Sequence, residues 1–192
     1  MNRRDALNRV ALILGGTVVG GTAFLEGCRS GDKTVTAAGL PLSQENIAFL
    51  DEVAETIIPA TTTPGAKAAK VGEFMNTMVM DCYEEKDQKI FLEGISKIDE
   101  ACNKMHGHTF MKAPPEHKKE VLVAIDKEAK DYGKSKKPDD PNHYFSLMKQ
   151  LTLTGYFTSE VGCTQALRYE AVPGRYEGCI PYKKGDKAWA TS

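Results

Sequence analysis

The sequence lacks the motifs by which most catalytic and cofactor chemistry announces itself. It has no Cys-x-x-Cys and no Cys-x-x-Cys-His, which excludes zinc-ribbon, thioredoxin-like and covalent-haem sites. A nucleophile elbow, a Walker loop and a dinucleotide fingerprint are missing from residues 28–192, so this stretch offers no motif-based nucleotide, flavin or acyl-transfer site. The glycines from Gly15 to Gly21 follow no strand and belong to an apolar leader, not a phosphate loop. A dominant charge is also lacking: 25 basic against 26 acidic residues give a formal net charge of -1. Such a balance makes no field to gather nucleic acid or anionic lipid. Valine- and isoleucine-dense runs and period-two alternation are scarce, which argues against a sheet. Histidine is rare, with four in all. His106 and His108 flank Gly107 and read as solvated loop residues, with no third donor nearby in sequence, so no metal site is assigned. The adjacent pairs Glu84-Glu85 and Asp139-Asp140 do not face each other on a helix and read as surface charge, so no catalytic residue is assigned.

What is present begins with an elaborate leader. The chain has 192 residues and 21.0 kDa, enough for one domain and too little for a catalytic domain beside a regulatory one. Three arginines precede the apolar, glycine-rich run Val10 to Leu25; a run of this length is short for a bilayer and fits a signal h-region. The Arg3-Arg4 pair resembles a twin-arginine export signal, although Asn2 and Ala6-Leu7-Asn8 replace its usual neighbours. Leu25-Glu26-Gly27-Cys28 resembles a bacterial lipoprotein cleavage site, with Cys28 the residue to be lipidated and Glu26 where a small residue is usual. The expected organisation is a signal over 1–27, a flexible linker over 28–42 and a helical domain over 43–192. The location implied is the periplasm, with attachment to a membrane through lipid on Cys28.

Apolar spacing in the body is helical. Ser43 caps a first helix carrying Ile47, Leu50, Ala54, Ile57 and Ile58, and Pro59 ends it. A second uses Val71, Phe74, Met75, Met78, Val79 and Cys82. A third runs over Ile90, Phe91, Ile95, Ile98 and Cys102. Pro114-Pro115 open a fourth with Val121, Leu122, Ile125 and Ala129, and a charged loop spans Gly133 to Pro141. A fifth carries Tyr144, Phe145, Leu147, Met148, Leu151 and Tyr156, and Thr158 or Ser159 caps a short sixth ending near Tyr169. The fold class is therefore mostly α, a single helical domain of about six helices. Two prolines, three glycines and the lone tryptophan after Ala171 forbid a long helix there, so the C-terminal tail is extended and irregular.

One segment fits neither core nor ordinary surface. Tyr156 to Cys179 is too polar for the first and too aromatic for the second, and a recognition surface explains both departures. Tyr156, Phe157, Glu160, Gln165, Arg168, Tyr169, Arg175, Tyr176 and Trp189 are its candidate contacts, since Tyr, Trp and Arg are enriched at binding hot spots and Arg can hold carboxylates bidentately. Cys163 and Cys179 lie in the same segment, and either an internal bridge or an intersubunit disulfide is compatible with their placement. Cys179, in a Gly-Cys-Ile-Pro turn, is the better candidate for a partner, and a buried free thiol is the alternative for Cys163. Cys82 and Cys102 fall at helical apolar positions and are expected to be small buried hydrophobes.

ETIIPATTTPGAKAAKV (Glu55 to Val71), the following F-x-x-x-M-x-x-D-C and GYFTSEVGCTQALRYEAVPGRYEGCIPY together resemble the gluconate 2-dehydrogenase subunit 3 family. The resemblance implies a small subunit without a redox cofactor of its own. Its partner would be a large flavoprotein of the glucose-methanol-choline class that holds FAD and oxidises a sugar or sugar acid, with a cytochrome c subunit as a further partner. The small subunit would be non-catalytic and serve the flavoprotein's stability and export. The competing readings are a stand-alone periplasmic helical binding lipoprotein and a small metal-dependent enzyme.

Overall fold

The computed structural model describes residues 42–172, 174–175 and 178–190. Arg3, Arg4, Cys28 and Tyr176 lie outside the described residues, as do the leader and all of the linker except Leu42. Leu42 is itself buried in the core. Five α-helices follow it: α1 Gln44–Ile57, α2 Val71–Cys82, α3 Glu85–His106, α4 Pro115–Ser135 and α5 Tyr144–Phe157, with a 3-10 turn at Phe110–Lys112 and a π-helical turn at Gly162–Ala166. No strand occurs among the described residues, only an isolated bridge between Arg168 and Trp189. The mostly α reading holds.

Local chemistry sets most boundaries. The Ser43 hydroxyl accepts from the Asn46 N–H at 3.2 Å and opens α1. Pro115 opens α4, where its missing N–H costs nothing. Gly107, at φ 77°, ends α3 in the left-handed region that glycine enters without a Cβ penalty. Gln88 is buried at the start of α3, and its amide donates to the carbonyls of Val79, Met80 and Tyr83 at 3.0, 3.2 and 3.1 Å. It thereby satisfies acceptors that the end of α2 would otherwise leave open.

α5 is the axis of the bundle and packs against all four other α-helices. Its buried residues Tyr144, Phe145, Leu147, Met148, Leu151, Thr152, Gly155 and Tyr156 occupy more than one face, as a central helix requires. Close approach uses glycine twice: a Cβ on Gly94 of α3 would lie 2.6 Å from the Tyr144 ring, and one on Gly155 would lie 2.5 Å from the Phe74 ring. The methionines Met75, Met78 and Met80 pack in or against this core.

Four expectations need correction. α3 begins five residues earlier and ends four later than its apolar spacing indicated, because Asn103 to His106 are exposed or half-buried and carry no core signal. His106 is consequently helical, not a loop residue. Cys82 is exposed in the last turn of α2, whereas Cys102 is buried as expected. The short sixth helix is a single π-helical turn, after which Leu167 is already extended. Gly162 is buried there with its N–H on the Ser159 hydroxyl, and a Cβ would meet the Tyr156 carbonyl oxygen at 1.8 Å, so the chain turns tightly instead of continuing.

α5 is capped by His143, whose Nδ1 accepts from the Phe145 N–H at 3.2 Å and so carries no proton. Burial of the ring pushes its pKa below the ordinary value of 6.5, a Lys97 charge acting the same way and Glu128, 3.8 Å from Nε2, opposing. Because the folded form takes up a proton less readily than the unfolded one, this contribution to stability is complete above about pH 6.5 and is lost as pH falls through the depressed folded value. The urea midpoint should therefore fall between pH 7 and 5 more steeply in the native chain than in His143→Asn, which keeps a capping side chain without the titration.

Candidate functional site

Two regions carry the distinctive sequence segments, and they point in opposite directions. The first is the loop between α1 and α2. Three carboxylates of α1 hold it. Glu55 accepts the N–H groups of Ala60 and Lys67 at 2.9 and 2.8 Å. Asp51 accepts the Gly72 N–H at 2.7 Å, and a Cβ at Gly72 would lie 2.6 Å from the Ile47 carbonyl oxygen. Burial raises the Asp51 pKa against this hydrogen bond. Glu52 pairs with Lys118 of α4 at 2.7 Å and with Lys67 of the loop. Burial penalises its charge, yet these two ammonium groups outweigh that and hold its pKa below the usual 4.5. Lys118 is itself buried, 7% exposed, so removing its counter-charge strands an ammonium ion in the core. Glu52→Ala should lower the unfolding free energy by about 3 kcal/mol, measured by urea denaturation at pH 7.

The second region is the segment from Tyr156 onward. Phe157 is half-exposed and meets Tyr156 edge-on at 5.1 Å and 81°. Leu153, one turn earlier on the same face, is also exposed at 42%. Glu160, Gln165, Arg168, Tyr169, Arg175 and Trp189 are exposed. Tyr156 is the exception among the residues read as partner contacts: it is 1% exposed, and its hydroxyl donates to the Pro64 carbonyl at 2.6 Å. It is a core residue that ties α5 to the α1–α2 loop, and its aromatic character reports packing, not recognition.

A clasp closes the rest of the segment. The Arg168 N–H donates to the Ala188 carbonyl at 2.8 Å, the Ala190 N–H to the Arg168 carbonyl at 2.9 Å, and the Arg168 guanidinium lies 4.0 Å from the centre of the Trp189 ring. The Lys187 ammonium donates to the Gln165 carbonyl. The described residues between 169 and 188 therefore form an excursion pinned at its base, beside a shallow cleft of about 440 Å³ lined by Thr164, Leu167, Arg168, Tyr169, Asp186 and Lys187. The excursion holds Val172 80% and Tyr182 77% exposed, with Tyr169 and Ile180 about half so. Leu153, Val172, Ile180 and Tyr182 escaped the sequence reading because isolated apolar residues carry no periodic signal. Cys163 and Cys179 are free thiols, with the Cys163 thiol 3.2 Å from the Phe157 carbonyl.

Comparison with family models matches residues 44–174 to gluconate 2-dehydrogenase subunit 3. The chain belongs to that family. The matched range covers the five α-helices, the π-helical turn and the start of the excursion. The curated proteins and the solved structures gave no match. Family membership makes this chain one subunit of a dehydrogenase complex. Among the described residues no helix is long and apolar enough to cross a membrane.

The two directions are separable by experiment. Tyr156→Phe should cost about 1 kcal/mol of stability through the lost Pro64 hydrogen bond and leave association with other subunits unchanged, as read by thermal unfolding and by size-exclusion chromatography of the complex.

Proposed function

We propose that this chain is the non-catalytic small subunit of a periplasmic, membrane-associated dehydrogenase that oxidises a sugar or sugar acid. The catalytic partner is a flavoprotein of the glucose-methanol-choline class holding FAD, and the small subunit supports its export, stability and attachment to the membrane. Besides the family, the observation that carries this reading is the pinned excursion. It commits about twenty residues and four exposed apolar side chains to no core of their own. An exposed apolar surface of this kind, with polar and charged residues around it, is what a subunit interface needs. Phe157 and Leu153 extend the same apolar character onto the last turns of α5. The paired Arg3-Arg4 and Cys28 supply the rest of the reading: export of a partner already folded around its cofactor, followed by anchoring through lipid.

The test is recovery of the complex. The full chain carrying a C-terminal tag should bring down a large protein with bound flavin from the membrane fraction. Trp189→Ala and Arg168→Ala should each weaken that assembly by roughly 1–3 kcal/mol, and Arg3→Lys/Arg4→Lys should leave both proteins in the cytoplasm. A tagged chain that stays alone, or a flavoprotein exported normally beside the double lysine variant, would defeat the reading.

A further inference from the structure

The fold assembles a histidine cluster that the sequence scatters. His106 stands in the last turn of α3, His108 follows the terminating Gly107, and His117 lies in the first turns of α4. The rings of His106 and His117 stack at 3.9 Å and 5°, and those of His108 and His117 lie 5.3 Å apart. His108 Nε2 and His117 Nδ1 are 3.2 Å apart. His106 Nε2 is buried, makes no hydrogen bond, and sits 3.5 Å from Glu120 Oε2. All three rings are half-buried, so an ion arriving from solvent can reach them.

The geometry points to a site for a borderline divalent transition metal, Zn²⁺, Ni²⁺ or Cu²⁺, nucleated by His108 and His117. Two imidazole nitrogens bound to one tetrahedral ion at about 2.0–2.1 Å stand roughly 3.3 Å apart, close to the separation seen. At present one proton bridges them; an ion would take its place, the bridging proton passing to water while the ring that gave it up is re-protonated on its other nitrogen, so that both rings stay neutral and both lone pairs face the metal. Imidazole is the ligand these metals favour. Among the described residues no three such donors yet converge on one point, and the stacked arrangement explains it: His106 faces the plane of His117 and not its nitrogen. A turn of the His106 ring, whose Nε2 has no hydrogen bond to give up, brings in the third nitrogen, and Glu120 stands beside it as an oxygen donor. Binding would staple the end of α3 to the start of α4.

The test is titration of the untagged full chain with ZnCl2 and NiCl2 by calorimetry, with CuCl2 followed by electron paramagnetic resonance for nitrogen hyperfine structure. One equivalent should bind, the melting temperature should rise with metal, and His117→Gln and His108→Asn should each weaken binding at least tenfold while His143→Asn does not. Melting curves without metal report whether each variant folds, and His108→Asn, in the turn after α3 and outside any helix, carries the result if His117→Gln does not. Absence of saturable binding, or one equivalent bound with unchanged affinity in folded variants, would overturn the assignment. These measurements use the chain alone, so they succeed or fail independently of whether a flavoprotein partner exists.

Discussion

Three successive acidic functions on one helix, at Asp51, Glu52 and Glu55, are the constraint on which the bundle depends. Turns satisfy part of the backbone between α1 and α2, and carboxylates of α1 take N–H groups that these turns leave open. Glu55 takes those of Ala60 and Lys67, and Asp51 takes the N–H of Gly72. Glu52, between them, reaches across to Lys118 of α4. The loop is thereby fixed from below by α1, while Tyr156 fixes it from above through Pro64. Every helix that packs on this corner takes its position from those contacts: α2 from Gly72, α4 from Lys118 and α5 from Tyr156.

That inner rigidity gives the outer segment its meaning. The excursion contributes little to the core, so its own conformation rests on the clasp of Arg168 with Trp189, Ala188 and Ala190. A planar guanidinium over an indole is attractive by its charge and its stacking together, and here it also joins two backbone hydrogen bonds at a parallel bridge. The clasp anchors to the π-helical turn, the turn to the end of α5, and α5 to every other helix. A partner that grips the excursion would therefore pull on the axis of the bundle and not on a loose tail.

The helices were legible because burying one face imposes a period of 3.6 residues on apolar side chains, and Ile47, Leu50, Ala54 or Val121, Leu122, Ile125 keep that period visibly. What could not be read depended on contacts distant in sequence. His117 is brought beside His106 and His108 only by the reversal of direction between α3 and α4, and nothing in the spacing of the first two predicts it. The residue types of Tyr156 and Phe157 are equally aromatic, yet one helical step of about 100° puts the first in the core and the second at the surface. Composition placed both in a recognition segment; only geometry divides them. The cap at His143 was hidden for a related reason, since histidine seldom serves as an N-cap and here does so because burial keeps its Nδ1 unprotonated.

The two stretches that carry the resemblance in the sequence, Glu55 to Val71 and the segment from Gly155 onward, have different physical causes in the structure. The first is an inward demand: the loop has to present N–H groups to fixed carboxylates, and Gly72 must admit the Ile47 carbonyl. Such a stretch specifies the fold and would be required whatever the subunit bound. The second begins inward, at Gly155 and Tyr156, and turns outward at Gly162, where the lack of a side chain lets the chain leave the helix axis. Beyond that turn Tyr169, Val172, Ile180 and Tyr182 are exposed among the described residues. The fold of the described residues would accept polar side chains at these places, and apolar ones there are what a covered surface carries.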